Sequence, residues 1–139
     1  MKKLLNTSMI YFILALAAGV FYREFTKFNS FEGQTALGRV HTHLFVLGMF
    51  LFLIAALFAK AEPSFTECKS FKSFYILYNI SLPFMVCMMI VRGIVQVLGT
   101  QLTTAGNAMI SGFAGIAHIL MAISLAMFFA ALKKSFQNK

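Results

Sequence analysis

The chain has 139 residues, of which 60% are hydrophobic and 12% are charged, whereas a soluble domain carries roughly 25% charged residues. Its apolar residues form four long runs, at 4–21, 37–59, 74–98 and 108–132, and a helix needs roughly 20 such residues to cross a hydrocarbon core. This pattern leaves no room for a soluble catalytic domain. It predicts an all-α integral membrane protein, a four-helix bundle whose single domain is residues 1–139.

The net charge of +8 does not indicate a nucleic-acid partner, because the cations flank the predicted helix ends. Cytoplasmic loops of membrane proteins carry the excess of lysine and arginine. If the N-terminus is cytoplasmic, the other side receives Arg23, Lys27 and Arg39. The cytoplasmic side then receives eight lysines, which are Lys2, Lys3, Lys60, Lys69, Lys72, Lys133, Lys134 and Lys139. The charges therefore predict that both termini are cytoplasmic.

The first apolar run, at 4–21, has two interpretations. Lys2, Lys3 and the later Ala15-Leu16-Ala17 resemble a secretory signal with an Ala-x-Ala cleavage site. The apolar run nevertheless continues through residues 19–21, which makes it long enough to span the bilayer. We expect it to be retained as the first span.

The remaining runs follow in order. The second opens with Gly38-Arg39-Val40-His41-Thr42-His43, and the third contains Pro83, which we expect to kink it, and Arg92. The turn at 99–106 is short, so the third and fourth spans should be antiparallel neighbours.

Ionisable residues inside a membrane are costly and indicate function. Near the outer ends of the spans lie Arg39, His41, His43 and Arg92, and His118 lies near the middle of the fourth span. His41 shares a helical stripe with Gly38, Phe45 and Gly48, and His118 shares one with Ser111, Ala114 and Gly115. Small residues permit close helix approach, so both histidines should face protein and not lipid.

Two histidines on facing helices of an apolar bundle are typical of haem iron held by axial imidazoles. We therefore predict a haem b-binding protein with metal ligands among His41, His43 and His118, taken from spans two and four. Arg39 and Arg92 would neutralise the propionates. His118 should be one ligand and His41 or His43 the other, with His41 favoured because its glycine-flanked face points into protein. His43 and His118 differ in depth by roughly 5–10 Å, which weakens that pair.

A methionine-rich face of the third span, formed by Met85, Met88 and Met89, has two readings. It is either ordinary core or one wall of a site for a large apolar ligand.

Two other functions fit the same residues. Histidines on packed membrane helices can simply bond a neighbouring carbonyl, which would make the protein a non-enzymatic structural or accessory subunit. A small transporter or proton-linked channel would instead use His41, His43 and Arg92 as a relay. None of the three readings predicts catalysis by the chain alone, and none names a redox partner.

The segment LGRVHTHLFVLGM at 37–49 resembles an uncharacterised family of small bacterial membrane proteins, as do YREFTKF at 22–28, VRGIVQVLG at 91–99 and GIAHI at 115–119. The resemblance implies a multi-pass protein of a bacterial cell membrane. A more distant likeness is to one four-helix arc of the haem–copper oxidase catalytic subunit, which has twelve helices in three such arcs. It carries over only His41, His43 and His118 as haem ligands. The small-residue stripes at Gly38/Gly48 and Ser111/Gly115 predict a homo-oligomer, and only the likeness to an oxidase arc favours a trimer.

Overall fold

A computed structural model describes residues 1–137 of the chain, and within them there is no β-strand. Seven helical segments follow one another: α1 (Lys2–Phe28), α2 (Leu37–His43), a π-helical segment (Leu44–Phe50), α3 (Leu51–Ala61), α4 (Ser64–Glu67), α5 (Lys69–Val97) and α6 (Thr104–Gln137). The three segments from α2 to α3 form one continuous helix, Leu37–Ala61, which we call the second long helix.

Four helices are long and apolar enough to cross a membrane: α1, the second long helix, α5 and α6, with 27, 25, 29 and 34 residues. The four predicted helices are therefore confirmed. The first, third and fourth extend beyond the apolar runs that predicted them, because lysine, arginine and glutamate are good helix formers. In α1, Lys2 and Lys3 extend the start, and Arg23, Glu24 and Lys27 extend the end.

The helices pack largely in chain order. The second long helix contacts α1 along its length, α2 also contacts α5, and α5 and α6 form the most extensive helix pair. The predicted antiparallel packing of the third and fourth spans is confirmed. Between them, Gly99 adopts a left-handed backbone with φ of 62°, which glycine adopts without steric cost. Helix α5 continues without interruption through Pro83.

The two ends of the bundle differ in charge. We call the end where α1 and α5 begin and α6 ends the lysine-rich end, because Lys2, Lys3, Lys69, Lys72 and Lys134 lie in the terminal turns there. The opposite end carries Arg23, Lys27, Arg39 and Arg92.

An aromatic cluster fills the core toward the lysine-rich end. Its fully or nearly fully buried rings come from α3, α4, α5 and α6, with neighbouring centroids 4.6 to 6.2 Å apart: Phe52, Phe65, Phe71, Phe74, Tyr78 and Phe128. Tyr11 of α1 stacks on Phe52 at 5.7 Å. Such rings bury large apolar areas and prefer tilted or offset pairs, so this cluster joins all four long helices.

The π-helical segment lies where α1 crosses the second long helix. A Cβ atom on Gly48 would come within 2.6 Å of the Tyr11 side chain, so only glycine allows this approach. The wider π turn disturbs the regular backbone bonding, and two hydroxyls bond carbonyls there. Ser8 Oγ donates to Met49 O at 2.8 Å, and Tyr78 OH donates to Leu47 O at 2.7 Å.

Candidate functional site

His41 lies on the face of the second long helix that packs against α1. A Cβ on Gly19 would lie 3.8 Å from His41 Cβ, and Phe45 packs on Phe12 with ring centroids 6.1 Å apart. A Cβ on Gly38 would likewise contact the ring of Tyr22 on α1. The predicted stripe and the predicted protein environment of His41 are therefore confirmed. His41 Nδ1 is buried and has no hydrogen-bond partner among residues 1–137.

His43 and His118 share one local geometry. His43 Nδ1 lies 2.8 Å from Arg39 O, and His118 Nδ1 lies 2.7 Å from Ala114 O, each four residues earlier in its own helix. A carbonyl oxygen only accepts, so Nδ1 must carry the proton and donate it. In the neutral imidazole, Nε2 is then left with a free lone pair. A metal-binding histidine is oriented by this kind of bond.

The side chain of His118 is exposed, as are Ser111 and Gly115 on the same face. The expectation that this face packs against protein is therefore wrong for the single chain. The buried face of α6 carries Ala117, Met121, Ser124, Phe128 and Ala131 instead. The large side chains Met121 and Phe128 enter the core with the aromatic cluster, and this fixes the rotation of α6. Nothing lies within 4 Å of a Cβ built on Gly112 or Gly115.

Arg92 bridges α5 and α6. Its Nη1 donates to Asn107 Oδ1 and its Nη2 to Ser111 Oγ, both at 2.8 Å. Within residues 1–137 no ion pair joins Arg92 to Glu24, whose Oε1 lies 3.8 Å from Arg23 Nε on the exposed surface. Ser111 precedes His118 by seven residues on one face of α6, or about 10 Å of helix. The guanidinium therefore lies toward the helix face that carries His118, about two turns nearer the end.

Arg39 is exposed at the same end of the bundle and lies one turn before His43. Arg39 and Arg92 line two surface cavities of about 480 and 270 Å³, and Gln96 lines both. No carboxylate in the part of the chain that the structure describes forms an ion pair with either arginine. The two positive charges are therefore available to an anionic group.

The methionine face of α5 packs in the core and does not line the apolar cavity beside it. An apolar cavity of about 380 Å³ lies between α1, the second long helix and α5, and α5 lines it with Pro83, Val86, Cys87 and Ile90. Met85 is buried in the core and Met89 packs against it. At 100° per residue these methionines lie on the opposite side of α5, the side of Arg92 that contacts α6. No histidine lines this cavity.

Among residues 1–137, no group of three His, Cys, Asp or Glu side chains is placed to hold a metal ion. Haem iron could be held by one or two histidine nitrogens from the protein. The donor chemistry of His43 and His118 fits that role, although no cavity described above holds both.

The sequence did not predict a belt of hydrogen-bonded polar side chains that lies between α1 and α5. Thr7 Oγ1 and Tyr75 OH are 2.7 Å apart, Tyr11 OH donates to Asn79 Oδ1 at 3.0 Å, and Asn79 Nδ2 donates to Tyr75 O at 2.7 Å. The signal was present in the spacing, because polar residues at 7, 8 and 11 and at 75, 78 and 79 each form one helical face.

A family model described as "Protein of unknown function (DUF2871)" matches residues 1–135. The chain belongs to this family. No curated protein and no solved structure matches the chain. The predicted membership of an uncharacterised family is confirmed. The likeness to haem–copper oxidases stays a prediction, since no comparison supports it.

Proposed function

We propose that this family member is a haem b-binding multi-pass membrane protein with His118 and His43 as axial ligands. The observation that carries the proposal is their matched geometry, with Nδ1 of each ring bonded to a carbonyl of its own helix and Nε2 left free. His41 is the weaker candidate, because its ring packs against Gly19 of α1. When bound, haem b supplies a one-electron redox couple, which suits an electron carrier, a haem sensor or a haem-handling subunit.

The arginines support the same assignment. Arg39 lies one turn beyond His43, and Arg92 is held by Ser111, two turns beyond His118. Each histidine thus has a cation on the outer side, where the acid groups of a haem would need neutralising. Arg39 and Arg92 lack carboxylate partners among the described residues, so neither charge is already neutralised.

The exposure of His118 supports an arrangement in which the cofactor lies between copies of the chain. The open space beside Gly112 and Gly115 leaves room for a neighbouring chain or a flat macrocycle at this helix face. The proposal therefore includes a homo-oligomer, and a trimer follows only from the likeness to an oxidase arc. Native mass spectrometry from mild detergent should detect the oligomer. A protein that is monomeric both with and without added haem contradicts this arrangement.

An absorption spectrum of the detergent-purified protein tests the proposal directly. We expect a red protein with a redox-sensitive spectrum. His118→Ala and His43→Ala should lose haem, whereas His41→Ala, the matched control, should retain it. A colourless wild-type protein after expression with sufficient haem, or a fully loaded His118→Ala variant with an unchanged spectrum, contradicts the proposal.

A structural or accessory subunit is the second candidate, favoured by the same two histidine–carbonyl bonds, since they satisfy Nδ1 without any ligand. Such a subunit would be colourless and would co-purify with a larger partner. The relay of a transporter or channel has less support, because His41 packs against α1 while Arg92 bridges α5 and α6. Flux measurements in liposomes would test it.

The proposal also places the protein in a bacterial cell membrane with both termini in the cytoplasm. Its basis is the lysine-rich end, where α1 begins, α6 ends and the segment 62–68 lies.

A further inference from the structure

A second candidate site lies at the lysine-rich end, away from the histidines. A cavity of about 430 Å³ opens between the first turns of α1 and α5. Lys3, Lys72 and Tyr75 line one part of it, and Leu4, Phe71 and Ile76 provide apolar walls. The cavity thus combines two cations with a hydrocarbon surface that continues along the helices toward the membrane interior.

The position of Lys3 is fixed by its neighbours. Its Nζ lies 4.2 Å from the centroid of the Tyr75 ring, a distance typical of a cation–π contact. Tyr75 is held in turn by the 2.7 Å contact between its hydroxyl and Thr7 Oγ1. The contact therefore favours a position of the ammonium group at the cavity, where Lys3 remains exposed.

Neither lysine has an acidic partner among residues 1–137. In the described part of the chain no carboxylate lies within ion-pair distance of Lys3 or Lys72. Glu67 follows Thr66, which lines the cavity, but it pairs with neither lysine. No carboxylate among residues 1–137 therefore neutralises the positive charge of the cavity.

The helix starts add to the same field. α1 begins at Lys2 and α5 at Lys69, both without a side-chain cap and without an acidic residue in the first turn. A helix N-terminus carries a partial positive charge and unpaired N–H groups. Two such termini next to two lysines favour an anion in the cavity between them.

We propose that this cavity binds one anionic glycerophospholipid of the surrounding bilayer. The phosphate lies between Lys3 and Lys72, and an acyl chain follows the apolar surface of Leu4 and Ile76. Cavities with basic side chains between membrane helices on the cytoplasmic side bind anionic headgroups. A free phosphate ion would satisfy the lysines but would leave the apolar walls unused. This proposal is independent of haem binding.

Native mass spectrometry of delipidated protein tests the site. The protein is incubated with equal amounts of dioleoyl phosphatidylglycerol and dioleoyl phosphatidylcholine, and the lipid adducts are counted. Wild type should prefer phosphatidylglycerol, and K3Q/K72Q should lose roughly fivefold in that preference for each lysine. K3R/K72R should retain it, because the charge is kept. Circular dichroism and gel filtration of K3Q/K72Q establish that it is folded.

The matched control is K133Q/K134Q, which removes two cations from the same end of the bundle but outside the cavity. It should keep the preference of the wild type. An equal loss in both variants would mean that net charge alone attracts the lipid, and the site would be refuted. Equal binding of the two lipids, or complete displacement of the lipid by millimolar inorganic phosphate, would equally overturn the proposal.

Discussion

Arg92 of α5 donates to the side-chain oxygen of Asn107 in α6 at 2.8 Å, so a neutral amide holds a cation that is half-buried. A charge in such a position normally has an anionic partner, because removing it from water is costly. Asn107 and Ser111 orient the guanidinium but leave its charge in place. This relationship separates positioning from neutralisation, and the two can be tested separately.

Replacing Asn107 with aspartate supplies the missing carboxylate. We expect Asn107→Asp to stabilise the contact between α5 and α6 by up to about 1 kcal/mol, because the neutral bond becomes an ion pair. Haem retention should fall, because the charge proposed to meet a propionate is then occupied. Thermal unfolding in detergent and the absorption spectrum give the two readouts. Gln137→Glu, the same charge change at the lysine-rich end, should alter neither.

Gly48 should tolerate no side chain. In Gly48→Ala the new Cβ would meet Tyr11 Cβ and Cγ at 2.6 Å, and overpacking of this kind costs about 1–3 kcal/mol. We expect a lower unfolding temperature, measured by circular dichroism because the chain contains no tryptophan. Gly112→Ala is the control, because its Cβ would meet nothing within 4 Å. An unchanged unfolding temperature in Gly48→Ala would contradict the close contact with α1.

The bond between Tyr11 and Asn79 should couple α1 to α5. A double-mutant cycle with Tyr11→Phe and Asn79→Leu should give a coupling energy of about 0.6 kcal/mol and at most about 1.7 kcal/mol, the range for bonds between membrane helices. Unfolding in a denaturing detergent measures it. Tyr22→Phe should have little effect, because the Tyr22 hydroxyl makes no hydrogen bond within residues 1–137. Strict additivity of the two variants would argue against the bond.

Cysteine labelling tests the orientation. Ser30 and Thr103 are exposed in the two loops at one end of the bundle, and Ser64 is exposed at the other. In a background without Cys68 and Cys87, an impermeant maleimide added to intact cells should label Ser30→Cys and Thr103→Cys but not Ser64→Cys. The opposite pattern would reverse the proposed topology.

Much of the fold follows from local sequence patterns. Runs of apolar residues marked the four long helices, and Gly38, Phe45 and Gly48 marked the face of His41 that packs on α1. The helix ends were predicted less accurately, because the hydropathy falls at the first charged residues whereas Lys2, Glu24 and Lys27 continue the helix. The π-helical segment has no comparable signature, since it depends on the crossing of Tyr11 and Gly48.

The candidate site was less predictable for a physical reason. The small residues on the His118 face permit packing, but the rotation of α6 is decided by Met121 and Phe128, whose burial contributes more free energy. A helix with two suitable faces buries the one with larger side chains when partner rings are available. The local bonds of His43 and His118 likewise depend on rotamers that composition does not specify.

The π-helical segment also separates the second long helix into two angular phases. Each residue turns an α-helix by about 100°, so a π turn displaces all that follows it relative to a uniform helix. Before and at the start of the π-helical segment, His41 and Phe45 face α1. After it, in α3, Phe52 packs in the aromatic cluster. A deletion of one residue within 44–50 would restore a uniform α-helix, and one half of the second long helix would then rotate away from the side chains that it contacts. Because the two halves of the helix are oriented separately, substitutions near the histidines can change one end without changing the aromatic packing at the other.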